Sequence, residues 1–138
     1  MRRTMETTTT RRFGIAAALA VAVAAAGLGS GCRRREDARV FAAAVEGFFQ
    51  AAAKQDCAAT KRATAGDLRA HLEQQGCDGL FEQMEKHGLA YQSSTAVKPD
   101  GRAPQARILE VRLRLNGKER DRLLRVEQAE GAWKLASL

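Results

Sequence analysis

Apolar positions along the chain follow three regimes. From Phe13 to Gly31 the residues are uncharged, small and mostly apolar, with no alternation. From Glu36 to Lys86 they recur at three- and four-residue steps, the period of helices with one buried face. From Ala90 to the end they alternate with polar residues, the period of strands with one buried face.

The spacing predicts a long helix over Glu36 to Gln55, with Phe41, Ala44, Val45, Phe48 and Ala52 on one face, Phe49 widening it, and Asp37 as its N-cap. Asp56 is set to cap a second, short helix through Arg62. Asp67 to Gln75 reads as a third, burying Leu68 and Leu72 and capped by Asp67. Leu80 to Lys86 reads as a fourth, capped by Asp78, with Leu80, Phe81 and Met84 inward. Gly88 ends it, since glycine takes the left-handed conformation that closes helices.

Ala90 to Val97 reads as a weakly hydrophobic first strand, followed by the turn Pro99-Asp100-Gly101. Gln105 to Leu115 places Leu109, Val111, Leu113 and Leu115 on one face and Glu110, Arg112 and Arg114 on the other. Asn116-Gly117 is a strong two-residue hairpin signal, because both positions tolerate positive φ. It sets Leu115 opposite Lys118, Arg114 opposite Glu119 and Arg112 opposite Asp121, so two opposite-charge pairs support the register. The same register sets Arg120 and Arg122 beside Leu113 and Val111. Either a β-bulge relieves that conflict or the arginines line a polar inner surface. The return strand runs from Lys118 to Gln128. Glu130-Gly131 is the last turn, and Ala132 to Leu138 the last strand, with Trp133 and Leu135 on one face. One long helix and two or three short ones, then a four-stranded antiparallel meander, predict an α+β domain.

The segment before these elements changes the picture. Arg2, Arg3, Arg11 and Arg12 stand against a single acidic residue, Glu6, and Ile15 to Ala26 is an apolar run of signal-peptide length. Residues 1–32 therefore read as an export signal, with Met1 or Met5 as the start, residues 33–36 as a basic tether and 37–138 as one small domain. The whole chain carries 23 basic and 16 acidic residues, a net charge of +7. Past Cys32 the count falls to 19 basic against 15 acidic, with Arg33, Arg34 and Arg35 supplying most of the excess. A basic tether beside an anionic membrane surface gains roughly 1 kcal/mol per charge. Nucleic-acid binding is disfavoured, since bases and acids are interleaved and the aromatics do not alternate with them.

Cys57 and Cys77 remain in the domain. In an oxidising compartment two cysteines are most simply a disulfide, and closing a loop of this size adds about 3 kcal/mol of stability in the chain-entropy model. A pair of reactive or metal-binding thiols is the alternative; the spacing is not CxxC, and no histidine pair completes a zinc site. No metal or cofactor is expected.

Leu28-Gly29-Ser30-Gly31-Cys32 resembles the lipobox of bacterial lipoproteins. That resemblance implies cleavage before Cys32, acylation of its thiol and attachment to membrane lipid. Family members usually carry an aliphatic residue three before the cysteine; here it is Gly29, with Leu28 one further back. Arg33 in place of the Asp that commonly retains lipoproteins at the inner membrane implies the outer membrane, facing the periplasm. Other fates compete: cleavage at Ala24-Ala25-Ala26 to a soluble product, or retention of Phe13 to Gly31 as an anchor. Thr10-Arg11-Arg12-Phe13 also resembles a twin-arginine signal, with its phenylalanine one position early, which favours the general secretory route.

The element order and the closing Gly131-Ala132-Trp133-Lys134-Leu135 strand resemble a small NTF2-like, or cystatin-like cone, domain. The resemblance spans residues 36–138. It implies helices packed on a curved sheet, and a cone that serves as a binding pocket, as an isomerase-, cyclase- or dehydratase-like site, or as a self-associating face that makes a homodimer. No catalytic motif transfers. His71 reads as a surface or boundary residue, His87 as a helix-end cation, Asp67 as a cap and Tyr91 as core or rim packing. Arg107, Arg112, Arg114, Lys118, Arg120, Arg122 and Arg125 cluster in the hairpin, mostly as a solvated, salt-bridged face. Arg120, Arg122 and Tyr91 are the candidate ligand-binding residues, for a small acidic ligand or a protein partner.

Overall fold

The computed structural model describes the backbone from Gly29 to Leu138 and side chains from Ala38 onward. Residues 1–28, which carry most of the expected export signal, and the side chains of Cys32, Arg33, Arg34, Arg35 and Asp37 lie outside the described residues. Four helices precede a four-stranded sheet: α1 (Gly29–Ala53), α2 (Cys57–Arg62), α3 (Gly66–Gln75) and α4 (Asp78–Lys86), then β1 (Ala90–Pro99), β2 (Ala106–Leu115), β3 (Lys118–Ala129) and β4 (Ala132–Ser137). The sheet is an antiparallel meander in the order β1-β2-β3-β4, curved and unclosed. The fold is the α+β arrangement that the periodicity predicts. Among the described residues no helix is long and apolar enough to cross a membrane.

The periodic face of α1 packs on one face of the sheet. Phe41, Val45, Phe48, Phe49 and Ala52 are buried with Leu109, Val111, Leu113, Leu124, Val126 and Leu135 in one cluster. Leu72 of α3 and Phe81 and Met84 of α4 join it from the side. Phe41 meets Trp133 edge-on, with ring centroids 4.6 Å apart, and Phe49 stacks on Tyr91 at 6.0 Å. The space between α1 and the middle of the sheet is thus filled by side chains.

The helix ends depart from expectation in an instructive way. Asp56 caps α2, accepting from the Ala59 N–H at 2.9 Å. Asp67 and Asp78 do not cap: the N-caps of α3 and α4 are Ala65 and Cys77, neither with a side-chain cap bond. Ala65 is held by the sheet instead, its N–H donating to the Leu135 carbonyl at 2.8 Å while the Leu135 N–H donates to Ala63 at 2.9 Å. Cys77 is held by its bond to Cys57, across Cα atoms 5.6 Å apart. α1 begins at Gly29, not at Glu36, so Asp37 and residues 33–36 lie inside its backbone.

Ala63 to Ala65 also runs parallel to β4, with Thr64 bridging Leu135, and so covers that edge of the sheet. The other edge, β1, has two register irregularities and ends in Lys98-Pro99, features that discourage pairing with another strand. Asn116 and Gly117 both have positive φ, at 51° and 75°, and close the β2–β3 hairpin.

Candidate functional site

β2 and β3 pair without a bulge from Ala106 opposite Glu127 to Leu115 opposite Lys118. Leu113 faces Arg120 and Val111 faces Arg122, as the hairpin signal requires. The conflict between arginine and core is therefore settled by position rather than by a bulge. Both arginines share the helix-packed face but stand at its hairpin end, where they are exposed.

There they overlie a recess of about 170 Å³ lined by Leu89, Leu113, Leu115, Leu124 and Leu138. Three structural causes make the recess. The two-residue turn fixes the register and thus the side on which Arg120 and Arg122 emerge. The end of α4 fixes Leu89: Gly88 takes φ of 54°, and the Leu89 N–H donates to the Met84 carbonyl at 2.8 Å. Leu113, only 4% exposed, ties the floor of the recess to the core.

Arg120 and Arg122 have no carboxylate partner among the described residues, in contrast to Arg112 and Arg125 of the same hairpin. On the opposite face Arg112 binds Asp121 at 2.9 Å. Arg125 binds Asp100 at 2.9 Å and also Glu127. Arg107 lies over the rings of Phe41 and Trp133 at 5.9 and 5.5 Å. The solvated, ion-paired face read from the sequence is thus the outer face, and Arg120 and Arg122 are not part of it. These pairs shift their acids. The Arg102 backbone N–H, and then Arg125, hold Asp100 below the ordinary carboxylate value despite opposing desolvation. The hydrogen bond from Arg112 lowers Asp121, and that from Lys134 lowers Glu130.

Tyr91 shares the inner face and lies opposite Leu113. It lines a neighbouring pocket of about 240 Å³ with Glu46, Phe49 and Gln50, and Leu89 lines both spaces. Its hydroxyl lies 3.0 Å from that of Ser94. His71 is exposed beside a surface pocket between α3 and α4. His87 is the C-cap of α4, with its carbonyl accepting from the Asn116 N–H at 2.7 Å. The two histidines, Asp67 and Tyr91 are therefore spread over separate places. Among the described residues no group of three or more His, Cys, Asp or Glu side chains is arranged to hold a metal. Leu113 and Leu115 fall on the apolar face read from the alternation, whereas Leu89, Leu124 and Leu138 were not singled out by sequence reasoning. Leu115 carried a signal of its own, as the last apolar position of an alternating strand.

No protein-family model, curated protein or solved structure matches the chain.

Proposed function

We propose that the protein is an exported, lipid-anchored binding module at a bacterial membrane surface, held through acylated Cys32 and non-catalytic. The single observation that carries the binding role is the pair of carboxylate-free guanidiniums, Arg120 and Arg122, above an apolar recess at the open end of a filled fold. Arginine stays protonated at all physiological pH values, so it reads negative charge but does not shuttle protons. General acid–base chemistry would need two titratable groups converging in a dry pocket. A small acidic ligand is the partner this arrangement favours.

The anchor rests on the order of basic, apolar and small residues that ends at Cys32. Arg33 directs the module to the outer membrane, facing the periplasm. Self-association through the sheet has less support, because the outer face is laced with ion pairs around the exposed Leu123.

Expression of the full chain in a bacterium that processes lipoproteins tests the anchor. The wild type should incorporate labelled palmitate and pellet with membranes. Cys32→Ala should lose the label and leave the membrane fraction. If Cys32→Ala still pellets, the lipid anchor is wrong and the uncharged segment itself holds the protein.

A further inference from the structure

We infer that the recess takes an unbranched aliphatic carboxylate of about six to eight carbons, with its head on Arg120 and Arg122 and its chain along the leucines. This rests on the acidic-ligand reading above and narrows it to one chemical class.

The head group follows from the strand. Arg120 and Arg122 are two residues apart on one face, about 7 Å along β3. One carboxylate between them can accept from both, as charge-assisted bonds to guanidinium favour. The hairpin offers a built-in contrast, since Arg112 and Arg125 on the other face already hold carboxylates of this chain.

The chain follows from the wall. Five leucines and the aliphatic stems of Arg120 and Arg122 line the space, so its wall is almost wholly apolar and the exposed guanidiniums stand at its rim. A ligand bearing hydroxyls or an amine along its length would bury them without partners, which is costly. An apolar cavity of about 150 Å³ accommodates a benzene-sized molecule. At about 170 Å³ the recess suits a short aliphatic tail and is too small for a long one.

The source follows from α1. Phe49 packs on Tyr91 at the recess end of the sheet, whereas Phe41 packs on Trp133 at the other. α1 continues from Phe41 back through Cys32, so the backbone at Cys32 lies about 25 Å along the helix from Phe49. The recess therefore sits at the end of the domain remote from the anchor. It is suited to a free acid rather than to a headgroup of the anchoring bilayer.

The test uses the full chain in phosphatidylcholine vesicles, dialysed to equilibrium against radiolabelled octanoate, with protein-free vesicles subtracted. Saturable binding of one octanoate per chain is expected. Acetate and octanol should each compete at least tenfold more weakly than unlabelled octanoate. Arg120→Gln with Arg122→Gln should weaken binding at least tenfold, Leu138→Ser several-fold, and Arg114→Gln on the outer face not at all. The competitor series needs no variant, so a folding defect cannot mask the outcome. If acetate competes as well as octanoate, the acidic-ligand reading stands and the aliphatic class falls. If octanol competes equally, the arginines do not read the head and the inference is wrong. If octanoate does not bind but radiolabelled acetate in the same dialysis does, the acidic-ligand reading stands and the aliphatic class falls; if neither labelled acid binds, both readings fall together. If phosphatidylglycerol in the vesicles abolishes octanoate binding, the occupant is a lipid headgroup and the free-acid assignment is overturned.

Discussion

Gln55 and Asp56 sit at one helix junction and pull stability in opposite directions. α1 closes with the Asp56 N–H donating to Ala51 at 3.1 Å and the Gln55 N–H to Ala52 at 2.9 Å. That is the paired-bond ending usually built on a left-handed glycine, yet Gln55 holds φ of 55° there. The same motif closes α4, where the left-handed residue is Gly88. A side chain in this conformation costs roughly 1 kcal/mol, which glycine avoids at the expense of a more flexible unfolded chain. Gln55→Gly should therefore raise unfolding stability by about 0.5 kcal/mol. Asp56→Ala, one residue on, should lower it by about 1 kcal/mol, because the Ala59 N–H loses its acceptor. Urea denaturation followed by circular dichroism reads both. A loss in Gln55→Gly as large as that in Asp56→Ala would show that the Gln55 side chain contributes more than its backbone strain costs.

At the scale of elements, α2 and α4 are joined by a covalent bond that local sequence does not replace. Cys57 opens α2 and Cys77 precedes α4, so the disulfide ties together two helix starts separated by 20 residues. α2 is six residues long and α4 is nine, both too short to persist alone. α2 depends on packing against α1, α4 on the burial of Phe81 and Met84 in the common core, and both on this tie. Reduction under native conditions should lower unfolding stability by about 3 kcal/mol, mostly by freeing the unfolded chain. Cys57→Ala with Cys77→Ala should reproduce that loss while far-UV circular dichroism stays native. Equal denaturation midpoints for oxidised and reduced protein would rule out a stabilising role for the bond. The same tie explains why Asp78 is not a cap, and the strand bridge at Ala65 explains the same for Asp67. A helix start fixed by a disulfide, or by a strand bridge as at Ala65, needs no side-chain cap, and the nearby aspartates stay in the first turn. They still favour the helix dipole there.

Across the whole molecule, the sheet sorts its charges by face, and this was legible in part. Alternation and the Asn116-Gly117 turn determine the register, and the register alone separates Arg112 from Arg120 and Arg122. The recess itself was not legible. Its walls come from Leu89 after α4, Leu115 before the turn and Leu138 after β4, which no local period relates. The edge cover at Thr64 was hidden for the same reason: a bridge to Leu135 spans most of the domain in sequence.

The sorted charges have a consequence in acid. Asp100, Asp121 and Glu130 all titrate below their ordinary values in the folded protein and return to them on unfolding. A depressed folded pKa stabilises the fold above the ordinary carboxylate range, and that stability is lost as pH falls through the folded pKa. The denaturation midpoint should therefore be flat from neutrality down to about pH 5 and drop below about pH 4. Salt should separate the contributors. The Arg112–Asp121 pair is about half exposed, so it is screened in 1 M salt, where the Debye length is about 3 Å. Asp100 owes its shift first to the Arg102 backbone N–H, and its side chain is 14% exposed, so its contribution should survive. Asp100→Asn should thus make the acid limb shallower in both low and high salt, while Asp121→Asn should do so only in low salt. If Asp100→Asn leaves the limb unchanged, the turn before β2 is not an acid-sensitive clamp.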